Sequence, residues 1–230
     1  MKLWKNGVFH TMKHENDLKY QMATNNGFIV GFDQDIEDFE FDEIIDLNQA
    51  HVYPGFVDAH LHLMGYGQKL SRPNLKNLNN KNQVLQVLKT EFNNAPFFVE
   101  GYFECGITKT DLNLISTSYP IMIRHNDYHS LTVNDYVLTM ANIKSLTGIL
   151  TEEEAQNAMN FFPKHTNLDL DHMLEKSIRS LYQYGITGGH SDDLFYFNGF
   201  KETLGSFDRV LAKMPFRAHL LVHHNVLDDY

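Results

Sequence analysis

A single cysteine, Cys105, stands in 230 residues. An intrachain disulfide is therefore impossible, and so is a zinc site built on thiolates. Basic residues are also in short supply: 19 Lys and Arg face 29 Asp and Glu, a formal net charge of −10. They are scattered rather than clustered, which argues against a nucleic-acid partner or an anionic membrane surface. No run reaches the roughly 18 apolar residues of a membrane span. The first ten residues carry lysines but no apolar stretch after them, so no signal peptide is read. These absences point to a cytoplasmic, acidic, globular chain. What is plentiful is histidine, with 13 copies, a composition suited to binding metal through imidazole.

Residues 1–52 read as short strands between turns. Leu3 to Phe9 carries an Asn6-Gly7 turn signal, and Asn25-Asn26-Gly27 suits a tight turn because Asn and Gly tolerate positive φ. Further along, Val84, Leu85, Val87, Leu88 and Phe92 form one apolar face of a helix over 81–92. Leu170, Met173, Leu174, Ile178 and Leu181 do the same for a helix over 168–184, with Gly185 as its cap. Phe97-Phe98-Val99, Ile121-Met122-Ile123, Ile186-Thr187 and Phe216 to His223 read as strands. Strands alternating with helices predict a parallel α/β sheet or barrel.

The chemistry concentrates in Pro54-Gly55-Phe56-Val57-Asp58-Ala59-His60-Leu61-His62. Side chains two apart on a strand share a face, so Asp58, His60 and His62 project together. Two imidazoles placed so can hold one divalent ion, with Asp58 orienting a ring from behind. A bare His-x-His is more often a half-exposed strand, and the longer string is what gives the pair weight. That string resembles the first barrel strand of the amidohydrolase superfamily, in which both histidines bind the metal. Leu63-Met64-Gly65-Tyr66-Gly67, Pro120 to Ser130 with Asn134, Thr147 to Leu150 with Glu152, and Tyr184 to His190 resemble the YtcJ-like (amidohydrolase-3) branch, in the order of that branch.

The resemblance implies an incomplete metal-dependent-hydrolase (β/α)8 barrel over 53–230, preceded by part of a small β-sandwich over 1–52. Residues 66–168 would be an insertion capping the active site. It implies His60 and His62 as ligands of a divalent metal, zinc by default, and Asp58 as their support. His129, Asn134 and His190 would contact substrate, and Glu152 either joins them or starts a helix. His219 and His223 sharing a strand face raise a second metal reading, with His224 beside them. The reaction implied is hydrolysis of a non-peptide carbon–nitrogen bond in a small amide-type molecule by a metal-activated water. Further copies of the same chain are the other expected partner. The general base and the remaining ligands are expected beyond Tyr230. A fragment or truncated product, catalytically inactive alone, is accordingly the alternative reading.

Overall fold

The computed structural model describes residues 1–229, a mixed α/β chain. It divides into two compact units, Met1–Phe56 and Val57–Tyr230. None of the helices described is long and apolar enough to cross a membrane.

The first unit holds two small sheets. One runs β5-β4-β1-β6, built from β1 (Lys2–Lys5), β4 (Met22–Asn25), β5 (Phe28–Phe32) and β6 (Glu43–Asp46). The other runs β3-β2-β7, from β2 (Val8–His10), β3 (Leu18–Lys19) and β7 (His51–Val52). Asn26 and Gly27 both take positive φ, the geometry of the tight turn that joins β4 to β5. Asn6 also takes positive φ, but β1 and β2 do not form a hairpin. The turn instead passes the chain from one sheet to the other, and Gly7 donates its amide to the Tyr20 carbonyl.

In the second unit, β8 (Phe56–Leu61) leads into α1 (Leu63–Ser71) and α2 (Lys81–Glu91). There follow β9 (Phe97–Tyr102), α3 (Lys109–Asn113), β10 (Ile121–His125), β11 (Ser130–Val133), α4 (Asp135–Ala141), β12 (Ile149–Thr151) and α5 (Glu152–Met159). The chain continues through α6 (Asn167–Tyr182), β13 (Ile186–Ser191), α7 (Phe200–Leu211) and β14 (Arg217–Leu220).

Two sheets result. The sheet β14-β13-β8 places β13 and β14 parallel, with His190 opposite His219. Its helix side is packed by α1, α6 and α7 through Leu63, Met64, Leu174, Ile178 and Phe207. The sheet β12-β11-β10-β9 corrects the expectation of purely parallel pairing: β9 and β10 are parallel, but β11 runs antiparallel to both β10 and β12. For β10 and β11 the cause is local: Asn126 to His129 reverse the chain within four residues, too short for the crossover that parallel strands need.

Helix limits follow their caps. Asn80 accepts the Asn82 and Gln83 amides to start α2, and Thr166 with Asp169 forms a capping box on α6. Helix α6 stops at Tyr182, and Gly185 takes a φ of +72° three residues later.

One buried group sets an acid limit on this fold. His125 is 8% exposed, with Nε2 2.7 Å from Thr132 Oγ1 and its ring edge-on to Tyr102. Burial holds its pKa below the ordinary 6.5, against the opposing pull of Glu104 and Asp127. His165 is lowered likewise, by burial and then by Arg72. The folded chain thus resists a proton that the unfolded chain accepts. Stability contributed by the neutral rings is complete above the ordinary value and is lost as pH falls below it. The melting temperature is expected to fall as pH drops below the ordinary imidazole value, and His125→Gln should flatten that slope. Identical slopes in the two proteins would remove His125 as a source.

Candidate metal centre

Pro54-Gly55 ends the preceding segment and β8 begins, alternating its side chains between two faces. Leu61 packs towards the helix layer, which sends His60 and His62 to the opposite, open side. His62 already stands beyond the strand, with φ −119° and ψ 91°, as the residue capping α1. The two rings lie 5.6 Å apart between centroids, at 89° to each other. The His62 side chain is 44% exposed.

This donor pair fits a divalent ion. With metal–nitrogen bonds of about 2.05 Å and a tetrahedral angle, two imidazole centres fall roughly 5 Å apart. Imidazole is a ligand type that zinc, nickel, copper and iron all accept. Among the described residues no group of three or more His, Cys, Asp or Glu gathers as a ligand set, so a metal held here would need ligands beyond this pair.

Asp58 does not reach a ring nitrogen. Its Oδ1 accepts the backbone amide of His60 at 3.0 Å, bracing the strand where the first histidine leaves it.

The loop after β13 forms a wall beside His62. Tyr196 meets the His62 ring edge-on at 5.6 Å, and Phe195 stacks on His223 at 4.7 Å and 12°. His223 is not on a strand face with His219, because β14 ends at Leu220. It caps a short 3-10 turn instead, its Nδ1 accepting the Asn225 amide. The His219 ring lies 4.8 Å from that of His190, tilted by 44°, and both residues are exposed. His190 sits inside β13 rather than past its end.

The remaining expected residues part company. His129 is exposed, its Nδ1 3.4 Å from Glu152 Oε2, in a cleft of about 250 Å³ with Arg124 and Tyr128. Both Tyr128 and Glu152 take positive φ, an uncommon strain for side chains of this kind.

Asn134 is the correction. It is 0% exposed and caps α4, and all four of its side-chain bonding positions are used. Its Oδ1 accepts the Ile121 and Val137 amides, and its Nδ2 donates to the Ser116 and Tyr119 carbonyls. Nothing is left for a substrate.

Two residues went unread in the sequence although they adjoin His190. Ser191 Oγ accepts the Leu63 amide at 3.0 Å, and Asp193 accepts the amides of Met64 at 3.0 Å and Gly65 at 3.3 Å. Together they hold the first turn of α1, immediately after His62. The available signal was a hydroxyl and a carboxylate at the end of a strand; their partners lie some 128 residues away.

Residues 43–230 match the Amidohydrolase family model (Amidohydro_3). The chain is 30% identical to the Bacillus subtilis (strain 168) protein described as "Putative amidohydrolase YtcJ", covering 99% of this chain and 50% of that protein. Two crystal structures of uncharacterized metal-dependent hydrolases share the fold. The one from Pyrococcus horikoshii OT3 has a TM-score of 0.78 at 23% identity, covering 99% of this chain and 50% of that one. The one from Pyrococcus furiosus has a TM-score of 0.80 at 19% identity, covering 99% and 51%. The chain thus spans about half the length of the relatives it matches.

Proposed function

Because the chain belongs to the Amidohydrolase family, we propose that it forms the part of a metal-dependent hydrolase that grips the metal with His60 and His62. The bond cleaved is a non-peptide carbon–nitrogen bond in a small amide-type molecule. The observation that carries this reading is the pair of imidazoles on the open side at the end of β8, with ring centroids 5.6 Å apart. In this reading residues 53–230 are the opening strands of a (β/α)8 barrel with 66–168 as a cap over the site, and 1–52 are part of an accessory sandwich.

A bound divalent ion, zinc in this proposal, supplies an acidified water and polarises the substrate carbonyl. The chain's own residues do the positioning. His60 and His62 would hold the ion through ring nitrogens, and Asp58 fixes the backbone at His60. Tyr196 and Phe195 wall one side of the approach. His190, and His129 with Glu152, are the polar groups offered to substrate. The relatives are about twice this length, so turnover belongs in this reading to a protein of that size. Residues 1–230 alone bind the ion without hydrolysing.

The test is zinc binding by the purified chain. A single equivalent is expected, lost when His60→Ala and His62→Ala are combined. Equal affinity in that double variant, or none in the wild type, would end the proposal.

A further inference from the structure

Asp193 is 1% exposed, and a buried carboxylate with no countercharge is costly. Its charge is met by the start of α1. Oδ2 accepts the Met64 amide and the Ser191 hydroxyl at 2.6 Å, and Oδ1 accepts the Gly65 amide. An anion at a helix N-terminus is stabilised by the free amides and by the helix dipole. That accounts for why the carboxylate tolerates burial. It does not account for where Oδ1 points.

Oδ1 lies 3.9 Å from Nδ1 of His62, while Tyr196 closes another side of the same ring. The distance exceeds a hydrogen bond, yet this carboxylate is the anion that faces that nitrogen. Its effect on a neutral imidazole has one sign. A proton on Nδ1 is attracted to Oδ1, whereas a lone pair on Nδ1 is repelled by it. The ring is therefore biased towards the tautomer with Nδ1–H, which leaves the Nε2 lone pair free for a cation.

We propose that Asp193 is a positioning residue: it selects the tautomer and sets the orientation of His62 while anchoring the helix that His62 begins. The proposal rests on the metal-binding reading of His62 and adds to it a residue 131 positions away in the chain. Ser191 has a different part. It accepts the Leu63 amide and donates to Asp193, so it serves the helix start without facing the ring.

The experiment has a readout that needs no metal. Nitrogen-15 NMR of the imidazoles in the metal-free chain, well above the pH where rings protonate, is expected to find His62 mainly as Nδ1–H. In Asp193→Asn, the population should move towards Nε2–H. A wild-type His62 already in the Nε2–H form overturns the proposal.

The second arm is zinc affinity by chelator competition. Asp193→Asn is expected to lose roughly 10- to 100-fold, the usual cost of removing a group that orients a ligand. Ser191→Ala removes a donor to Asp193 but keeps the carboxylate facing His62, so it should lose clearly less than Asp193→Asn, and in a His62→Ala background Asp193→Asn should change nothing further. Equal losses in Ser191→Ala and Asp193→Asn would place the effect in the helix start and overturn it. A wild type that binds no zinc refutes the proposed function instead, and the tautomer result still decides the role of Asp193.

Discussion

Gly67→Ala is expected to destabilise the second unit by about 3 kcal/mol or more, at the upper end of what overpacking costs. Gly67 lies in the middle of α1, where helix propensity alone favours alanine by about 1 kcal/mol. Packing reverses that sign. A Cβ at this position would lie 1.8 Å from the Met173 carbonyl oxygen and 2.4 Å from its carbon. Both are backbone atoms of α6, so no side chain can swing away. Helix α1 has to lift from α6, and Leu63, Met64, Leu170 and Leu174 lose contact as it goes. Because His62 begins α1, the displacement also reaches the metal pair. Thermal and urea unfolding check it, with a fall in melting temperature of roughly 10 °C. A variant as stable as the parent would show that the two helices do not approach as described.

Gly67 also illustrates which features a sequence exposes. The elements around the site were legible because they are carried by local periods. Alternation along Phe56 to Leu61 separates Leu61 from the two histidines, and the apolar spacing of Leu170 to Leu181 gives α6 its buried face. The close approach of Gly67 to Met173 has no local signature, since a glycine inside a helical pattern reads simply as a weak position.

Asp193 was hidden for the same reason. Its partners, Met64 and Gly65, lie about 130 residues earlier, and only the packing of β13 beside β8 brings them together. His223 was misplaced by extending a strand pattern through Leu221 and Val222, which the chain abandons at Leu220. Asn134 was misread in kind. A polar residue in a segment shared with a catalytic family invites a substrate role, but an Asn just before a helix is also a favoured cap.

Asn134→Ala decides between those two roles. The substitution strands the Ile121 and Val137 amides, both in fully or almost fully buried residues, and removes the donor to the Ser116 and Tyr119 carbonyls. Each buried group left without a partner costs about 1–3 kcal/mol, and the lost cap of α4 adds to it, so a total of about 3 kcal/mol is expected. Asn134→Asp is not a rescue. It preserves an acceptor for the two amides but sets a carboxylate against two carbonyl oxygens with no hydrogen to offer them. Both variants should therefore lower the urea midpoint, while zinc affinity at His60 and His62 stays at the wild-type value below the transition. The opposite pattern, unchanged stability with altered binding of an amide-type ligand, would return Asn134 to the substrate pocket. The four bonds described for it would then be wrong.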